Sequence, residues 1–130
     1  MKRRILQRLL GLRRDQRGVA AVEFAIIAPV FVGLLVGILD IGRYMWTLNT
    51  MQYAIDESVR AGVVQKLSSD EVKDLAKSSM TGLNTGAITV GVVDGASTLS
   101  ITADMTYKFL FPMSSFTDST TISVRTEMPK

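Results

Sequence analysis

The chain has 130 residues, a formal net charge of +3, and neither histidine nor cysteine. A chain of this length is expected to form one domain at most. Without cysteine it has no disulfide scaffold and no lipid-modified cysteine anchor. Without histidine it has no imidazole base and no histidine metal ligand. The sequence therefore predicts no catalytic residue, no metal site and no cofactor.

The positive charge is concentrated at the N-terminus. Residues 1–18 hold seven basic residues against one acidic residue, whereas residues 19–130 hold eight basic and eleven acidic residues. A basic arm can bind nucleic acid, but this one carries no interleaved aromatic residue and directly precedes an apolar run. We therefore predict no nucleic-acid partner and interpret the arm as a membrane-orienting segment.

The apolar run covers residues 19–39, "VAAVEFAIIAPVFVGLLVGIL", and Glu23 is its only charged residue. At about 1.5 Å per residue, a helix of this length spans roughly 30 Å, the thickness of the hydrocarbon core of a bilayer. Arginines are concentrated on its N-terminal side and Asp40 follows its other end, which predicts a cytoplasmic N-terminus and a translocated C-terminus. A secretory signal would have a shorter apolar region and a cleavage site of small residues. Bulky and polar residues follow here, "DIGRYMW", so the run predicts a transmembrane helix.

Small residues recur along this run at spacings typical of helix packing in lipid. Gly33 and Gly37 form a G-x-x-x-G pair, and Ala21 and Ala25, nearer the N-terminal end of the run, have the same four-residue spacing. Pro29 removes a backbone donor and predicts a kink or a loosened turn.

The helical pattern continues beyond the membrane segment. Residues at steps of three and four form a mainly apolar stripe, which predicts one helix from about residue 19 to about residue 66. The residues of the stripe are Ile41, Met45, Leu48, Gln52, Ile55, Val59 and Gly62, with Met51 and Val63 beside them. The alternative is two helices separated by a break near Gly42.

The remaining sequence predicts a small α+β unit. Ser68 and Glu71 match a capping box for a second helix over residues 69–80. Two β-branched segments, 87–93 and 97–109, flank the turn dipeptide Asp94-Gly95, and residues 120–128 predict a third strand after a loop over 113–119. The fold class is therefore α+β, with the long helix predicted to cover a three-stranded antiparallel sheet.

The segment "RGVAAVEF", residues 17–24, has a basic arm, a glycine and an apolar helix with Glu at its fifth position. It resembles the processing site of type IV pilin-like precursors. The longer stretch "RGVAAVEFAIIAPVFVGLLVGILDIGRYMWTLNTMQYAIDESVRAG" resembles the TadE-like pseudopilins of the tight-adherence (Flp-type) pilus system, and so do "ITADMTYKFLFP" and "TISVRTEM".

The resemblance implies a substrate rather than an enzyme. A prepilin peptidase would cut between Gly18 and Val19, removing residues 1–18 as a cytoplasmic leader. Residues 19–39 would then span the bacterial inner membrane, and residues 40–130 would form a periplasmic head. Glu23 and Phe24 would act in assembly with other pilus subunits and inner-membrane machinery.

The major pilins of that system typically have Glu-Tyr where this chain has Glu23-Phe24, which favours a minor pseudopilin. The alternative is an uncleaved single-pass membrane protein with an extracytoplasmic partner-binding domain. The N-terminal sequence of the membrane-bound protein distinguishes the two.

Overall fold

The computed structural model describes residues 17–110 and 119–130. Its first element, α1, is a single helix, Arg17–Gln65, of 49 residues. It continues through both Pro29 and Gly42, so the predicted single helix is confirmed and the break near Gly42 is wrong. The chain divides into two compact units, one ending at Val36 and the other comprising Gly37–Lys130.

Helix α1 ends in a tight cap. Lys66 has a left-handed backbone (φ 54°), and the Leu67 amide donates to the Gly62 carbonyl at 3.1 Å. This is the hydrogen bond that closes a Schellman motif. The reversal of the chain allows α2 to begin only four residues after α1 ends.

Helix α2 comprises Ser69–Ser79, and Ser68 is its N-cap. The Glu71 amide donates to the Ser68 hydroxyl at 3.4 Å, and the Ser68 amide donates to the Glu71 carboxylate at 2.8 Å. Both bonds of the predicted capping box are therefore present. The helix ends one residue before the predicted Met80, which is its C-cap.

A short 3-10 turn, Thr85–Ala87, leads into three strands: β1 (Ile88–Asp94), β2 (Thr98–Lys108) and β3 (Ser119–Pro129). They form an antiparallel sheet in the order β1-β2-β3, which confirms the predicted α+β class. The first turn falls later than predicted: Asp94 is the last residue of β1 and pairs with Leu99, and Gly95 donates to the Thr98 carbonyl at 2.9 Å. Residues 113–118 of the predicted loop lie outside the described residues, and Ser119 belongs to β3.

The core of the second unit lies between α1, α2 and one face of the sheet. In β2 the residues Leu99, Ile101 and Ala103 share the buried face, although Ser100, which alternation would place on the other face, is also buried. The apolar core consists of Met51, Ala54, Ile55, Val59, Val72, Ala76, Met80, Ile88, Val90, Leu99, Ile101, Ala103, Tyr107, Ile122 and Val124.

The predicted stripe on α1 is correct in its C-terminal part and wrong in its N-terminal part. Ile55 and Val59 are buried, but Ile41 and Met45 are 55% and 49% exposed. The buried face there is formed instead by Asp40, Tyr44 and Thr47, together with half-buried Leu48. These positions precede the predicted ones by one residue, a rotation of about 100° around the helix.

Candidate functional site

The N-terminal part of α1 presents an apolar surface. Within the described residues, α1 is the one helix long and apolar enough to cross a membrane, and its most apolar 18-residue window has a mean hydropathy of 2.5 with 6% of it buried. The exposed apolar side chains are Val19, Val22, Phe24, Ile26, Ile27, Val30, Phe31, Val32, Leu34, Leu35, Ile38 and Leu39. Exposing so much apolar surface to water would be unfavourable, so this surface is suited to lipid or to other apolar helices.

Gly18 and Val19, the predicted processing pair, lie in the first turn of α1. The first four amides of a helix have no partner within it, so this turn opens more easily than the helix interior. A Cβ added to Gly18 would meet no heavy atom within 4 Å. Nothing in the described part of the chain therefore requires glycine here for packing.

Glu23 and Phe24 are both exposed, and Phe24 is 71% exposed. Glu23 makes no hydrogen bond or ion pair with any described residue. It lies one helical turn after Val19, on the same face of α1. A carboxylate in this position is available to a cation from outside the described fold.

The small residues Ala21, Ala25, Gly33 and Gly37 are exposed or half-exposed on α1. Each step of four residues advances about 40° around a helix, so the row winds around α1 rather than following one straight line. A Cβ at Gly33 would meet no heavy atom within 4 Å. Any close approach that requires glycine at this position would involve a partner helix.

A polar cluster that the sequence analysis did not predict lies directly after the apolar run. Asp40 is only 3% exposed. The Leu110 amide donates to its Oδ2 at 2.7 Å, the Tyr107 hydroxyl donates to its backbone carbonyl at 3.2 Å, and an Arg43 guanidinium N–H donates to its Oδ1 at 3.3 Å. A buried carboxylate is stable only when it is satisfied in this way.

Aromatic rings surround this carboxylate. Tyr107 packs edge-on against Tyr44, with centroids 5.5 Å apart, and against Phe109 at 5.2 Å. The Arg43 guanidinium lies 5.6 Å from the centroid of the Tyr107 ring. Burial raises the pKa of the Tyr107 phenol; the Arg43 charge opposes this change and the Asp40 carboxylate supports it. The phenol therefore stays protonated and remains a hydrogen-bond donor to Asp40.

Sequence signals for this cluster exist but are weak. Tyr107 and Phe109 are two residues apart in the predicted strand over residues 97–109, which assigns them to one face of it, and Arg43 follows Asp40 at a helical pairing distance. The helix residues and the aromatic residues come together only in the folded chain, because they are about seventy positions apart in the sequence. Within the described residues no group of three or more acidic residues could hold a metal ion.

Within the described residues, these features fit a membrane anchor in the N-terminal part of α1, followed in the chain by a small α+β unit. Comparison with known proteins finds a match to part of the chain: residues 18–60 match the family model for TadE-like protein. No curated protein and no solved structure matches the chain. The match confirms the resemblance seen in the sequence over these residues. The TadE-like family is a structural family associated with the tight-adherence (Tad) pilus.

The matched segment begins at Gly18 and ends at Arg60. It includes the apolar surface, Glu23 and the helical part of the Asp40 cluster. Helix α2 and the sheet lie outside it.

Proposed function

We propose that the protein is a minor pseudopilin or assembly component of a tight-adherence pilus, made as a precursor and cut between Gly18 and Val19 by a prepilin peptidase. The observation that carries the proposal is the TadE-like match, which starts at Gly18. Two properties of the site support it: the bond lies in the first turn of α1, and Gly18 has open space around it.

Cleavage would remove the basic arm and leave a chain that begins with the apolar part of α1. The mature protein would remain in the bacterial inner membrane, with the C-terminal unit in the periplasm, and contact other pilus subunits and assembly machinery there. The sizeable second unit, Gly37–Lys130, supports a minor component over a bulk filament subunit.

Mass spectrometry of the membrane-bound protein tests processing directly. In cells with an active prepilin peptidase, the N-terminus should be Val19. Gly18→Val should block cleavage because a branched side chain would obstruct close backbone approach in the peptidase groove. Gly42→Val is the matched control, since Gly42 is also on α1 and has no heavy atom within 4 Å of an added Cβ.

The proposal fails if wild-type protein keeps its arm in peptidase-positive cells, or if Gly18→Val is cut as efficiently as the wild type. The first result would favour the alternative function: an uncleaved single-pass protein whose outer domain binds a partner.

Within this function, we assign Glu23 to assembly. Cleavage creates an ammonium on Val19, and Glu23 of one subunit would pair with the Val19 amine of a neighbour in a staggered bundle of helices. At about 4 Å and an effective dielectric constant near 20, the attraction is on the order of 4 kcal/mol before desolvation is subtracted. A pair of this kind would favour one axial offset between neighbouring helices.

Glu23→Ala and Glu23→Gln should therefore reduce co-purification of other pilus components more than they reduce the processed fraction. Glu57→Gln, an exposed position later on α1, is the matched control. Normal assembly of both Glu23 variants would remove Glu23 from the mechanism.

A further inference from the structure

The surface next to the end of the apolar run is unusual for a part of the fold that meets water. Asp40, the first polar residue after the run, is buried in the second unit instead of being solvated. Beyond it, Ile41, Trp46 and Leu110 remain 55%, 52% and 64% exposed. Apolar surface therefore continues past the last residue of the run.

An open groove of about 590 Å³ lies on the second unit, and Trp46 is one of its lining residues. Arg43 and Trp46 of α1 line one wall, and Thr106 and Lys108 of β2 line another. Arg43 and Lys108 are both exposed, and Lys108 makes no hydrogen bond or ion pair with the described residues. No carboxylate is among the described residues that line the groove. The groove thus combines two cations with a half-exposed indole.

The distance along α1 places this groove at the level of the lipid headgroups. Arg43 follows Leu39 by four residues and Trp46 follows it by seven, which correspond to about 6 Å and about 10 Å of helix. The polar layer on each side of the hydrocarbon core is about 5–8 Å thick. The backbone of Arg43 is within this layer and that of Trp46 is just beyond it, but helical side chains point back toward the N-terminus, which brings the indole toward the layer. Tryptophan and basic residues are the side chains that anchor helices in this layer.

We propose that Arg43, Trp46 and Lys108 form a membrane-interface site that binds the headgroups of anionic phospholipids, with Ile41 and Leu110 in contact with the upper acyl chains. The proposal rests on the membrane anchoring of α1 given above. The site would hold the second unit against the bilayer from which α1 emerges.

An extended peptide is the competing occupant. Strand β2 continues for three residues beyond Met105, which pairs with the first residue of β1, so its edge is open beside the groove. The observations favour lipid because both charges are positive and the groove adjoins the end of the apolar run. A peptide would not require that position.

Trp46 is the only tryptophan of the chain, so its fluorescence reports on the site without labelling. The full-length protein is reconstituted at high dilution in vesicles of phosphatidylcholine alone or of phosphatidylcholine with phosphatidylglycerol. Two quenchers are compared: acrylamide in the water, and lipids brominated near the headgroup or near the chain end. Insertion of α1 is checked separately by resistance to alkaline carbonate extraction.

Phosphatidylglycerol should protect Trp46 from acrylamide and make bromine near the headgroup a better quencher than bromine at the chain end. Lys108→Gln and Arg43→Gln should each lower the ratio of membrane-docked to undocked second unit by roughly fivefold. Lys77→Gln, on α2, is outside the groove and should leave the ratio unchanged. Because Arg43 also contacts Asp40, Lys108→Gln gives the cleaner test.

Equal acrylamide quenching in both vesicle types, with α1 inserted, would overturn the proposal and leave the anchoring intact. Loss of the protein on carbonate extraction would instead contradict the anchoring. If acrylamide fails to reach Trp46 and brominated lipid does not quench it either, the lipid proposal is overturned and a protein occupies the groove. If that protection also increases with the density of protein in the vesicles, the occupant is a second copy of this chain.

Discussion

Two glycines of α1 occupy opposite environments. A Cβ at Gly62 would lie 2.7 Å from Leu99 Cδ2 and 2.8 Å from Val72 Cγ2, whereas a Cβ at Gly42 would meet no heavy atom within 4 Å. At Gly62 the absent side chain is what allows α1, α2 and β2 to pack together. Gly42 contributes nothing of this kind to the described fold.

Gly62→Ala should therefore destabilise the second unit relative to Gly42→Ala by about 1–3 kcal/mol, the usual cost of overpacking a core. Both variants gain a similar helix propensity, which cancels in the comparison. Chemical unfolding in detergent, followed by circular dichroism, measures the difference. Equal midpoints for the two variants would show that the contact at Gly62 relaxes without cost.

At the scale of elements, α1 presents its buried face to the sheet over its C-terminal half. Ile55 is fully buried, while Leu48 is half-buried. Ile55→Asp places an unpaired charge in the core, and this is enough to unfold a marginally stable unit. Leu48→Asp should have a smaller effect in the same direction.

Limited proteolysis of the membrane-bound protein checks this ranking. Asn49→Asp is the control, because Asn49 is an exposed position of the same helix. If Ile55→Asp is as protease-resistant as Asn49→Asp, the long helix does not stabilise the sheet.

The capping box of α2 should make its N-terminus sensitive to acid. Hydrogen bonds from the Ser68 amide, and then from its hydroxyl, lower the pKa of Glu71 below the ordinary value of 4.5. The ionised Glu71 carboxylate therefore contributes fully to stability at a pH above the pKa of this group in the unfolded chain. This contribution is lost as the pH falls through the lowered pKa of the folded chain.

Ser68→Ala should cost about 0.5–2 kcal/mol at neutral pH. Glu71→Gln should remove the part of the acid-induced loss of stability that the Glu71 carboxyl causes. Unfolding midpoints measured at neutral pH and below pH 4.5 compare both variants with Glu57→Gln, whose carboxyl is exposed on α1. An unchanged acid slope in Glu71→Gln would exclude the cap as its source.

The elements were predictable because their signals are local. The capping box lies within four residues, the strands show period-two alternation, and the helical pattern of α1 continues on both sides of Pro29 and Gly42. The buried face of α1 was predicted less well because a prediction from hydropathy assigns polar residues to the exposed face. Thr47 and Ser58 are buried, and their hydroxyls donate to the carbonyls of Arg43 and Ala54 at 2.9 Å and 2.6 Å within the same helix.

The Asp40 cluster depends on partners 67 and 70 residues away. Only the folded chain brings these residues together. The predicted processing position Gly18 and the predicted assembly position Glu23 remain predictions, because the groups expected to contact them belong to other proteins.

At the scale of the whole molecule, the uneven charge predicts topology. Seven basic residues precede the apolar run and none lies within it, which favours a cytoplasmic N-terminus. Alkaline phosphatase fused after Lys130 should therefore be active, and a cytoplasm-dependent fluorescent protein at the same position should be dark.

Replacing Arg13, Arg14 and Arg17 by glutamine should raise the fraction of inverted chains. The same replacement of Lys73 and Lys77, far from the apolar run, is the control. An active fluorescent protein after Lys130 in the wild type would place the second unit in the cytoplasm and contradict the proposed function.

The bonds from Tyr107 and Leu110 to Asp40 have a mechanical consequence. Tension applied along α1 would reach β2 directly through Asp40 and would not need to pass through α2. Strand β2 is the central strand, paired with β3 along its whole length and with β1 from Leu99 to Met105. A load entering at Tyr107 would therefore meet the hydrogen bonds to β3 first and those to β1 further along the strand, so both ladders would resist the pull.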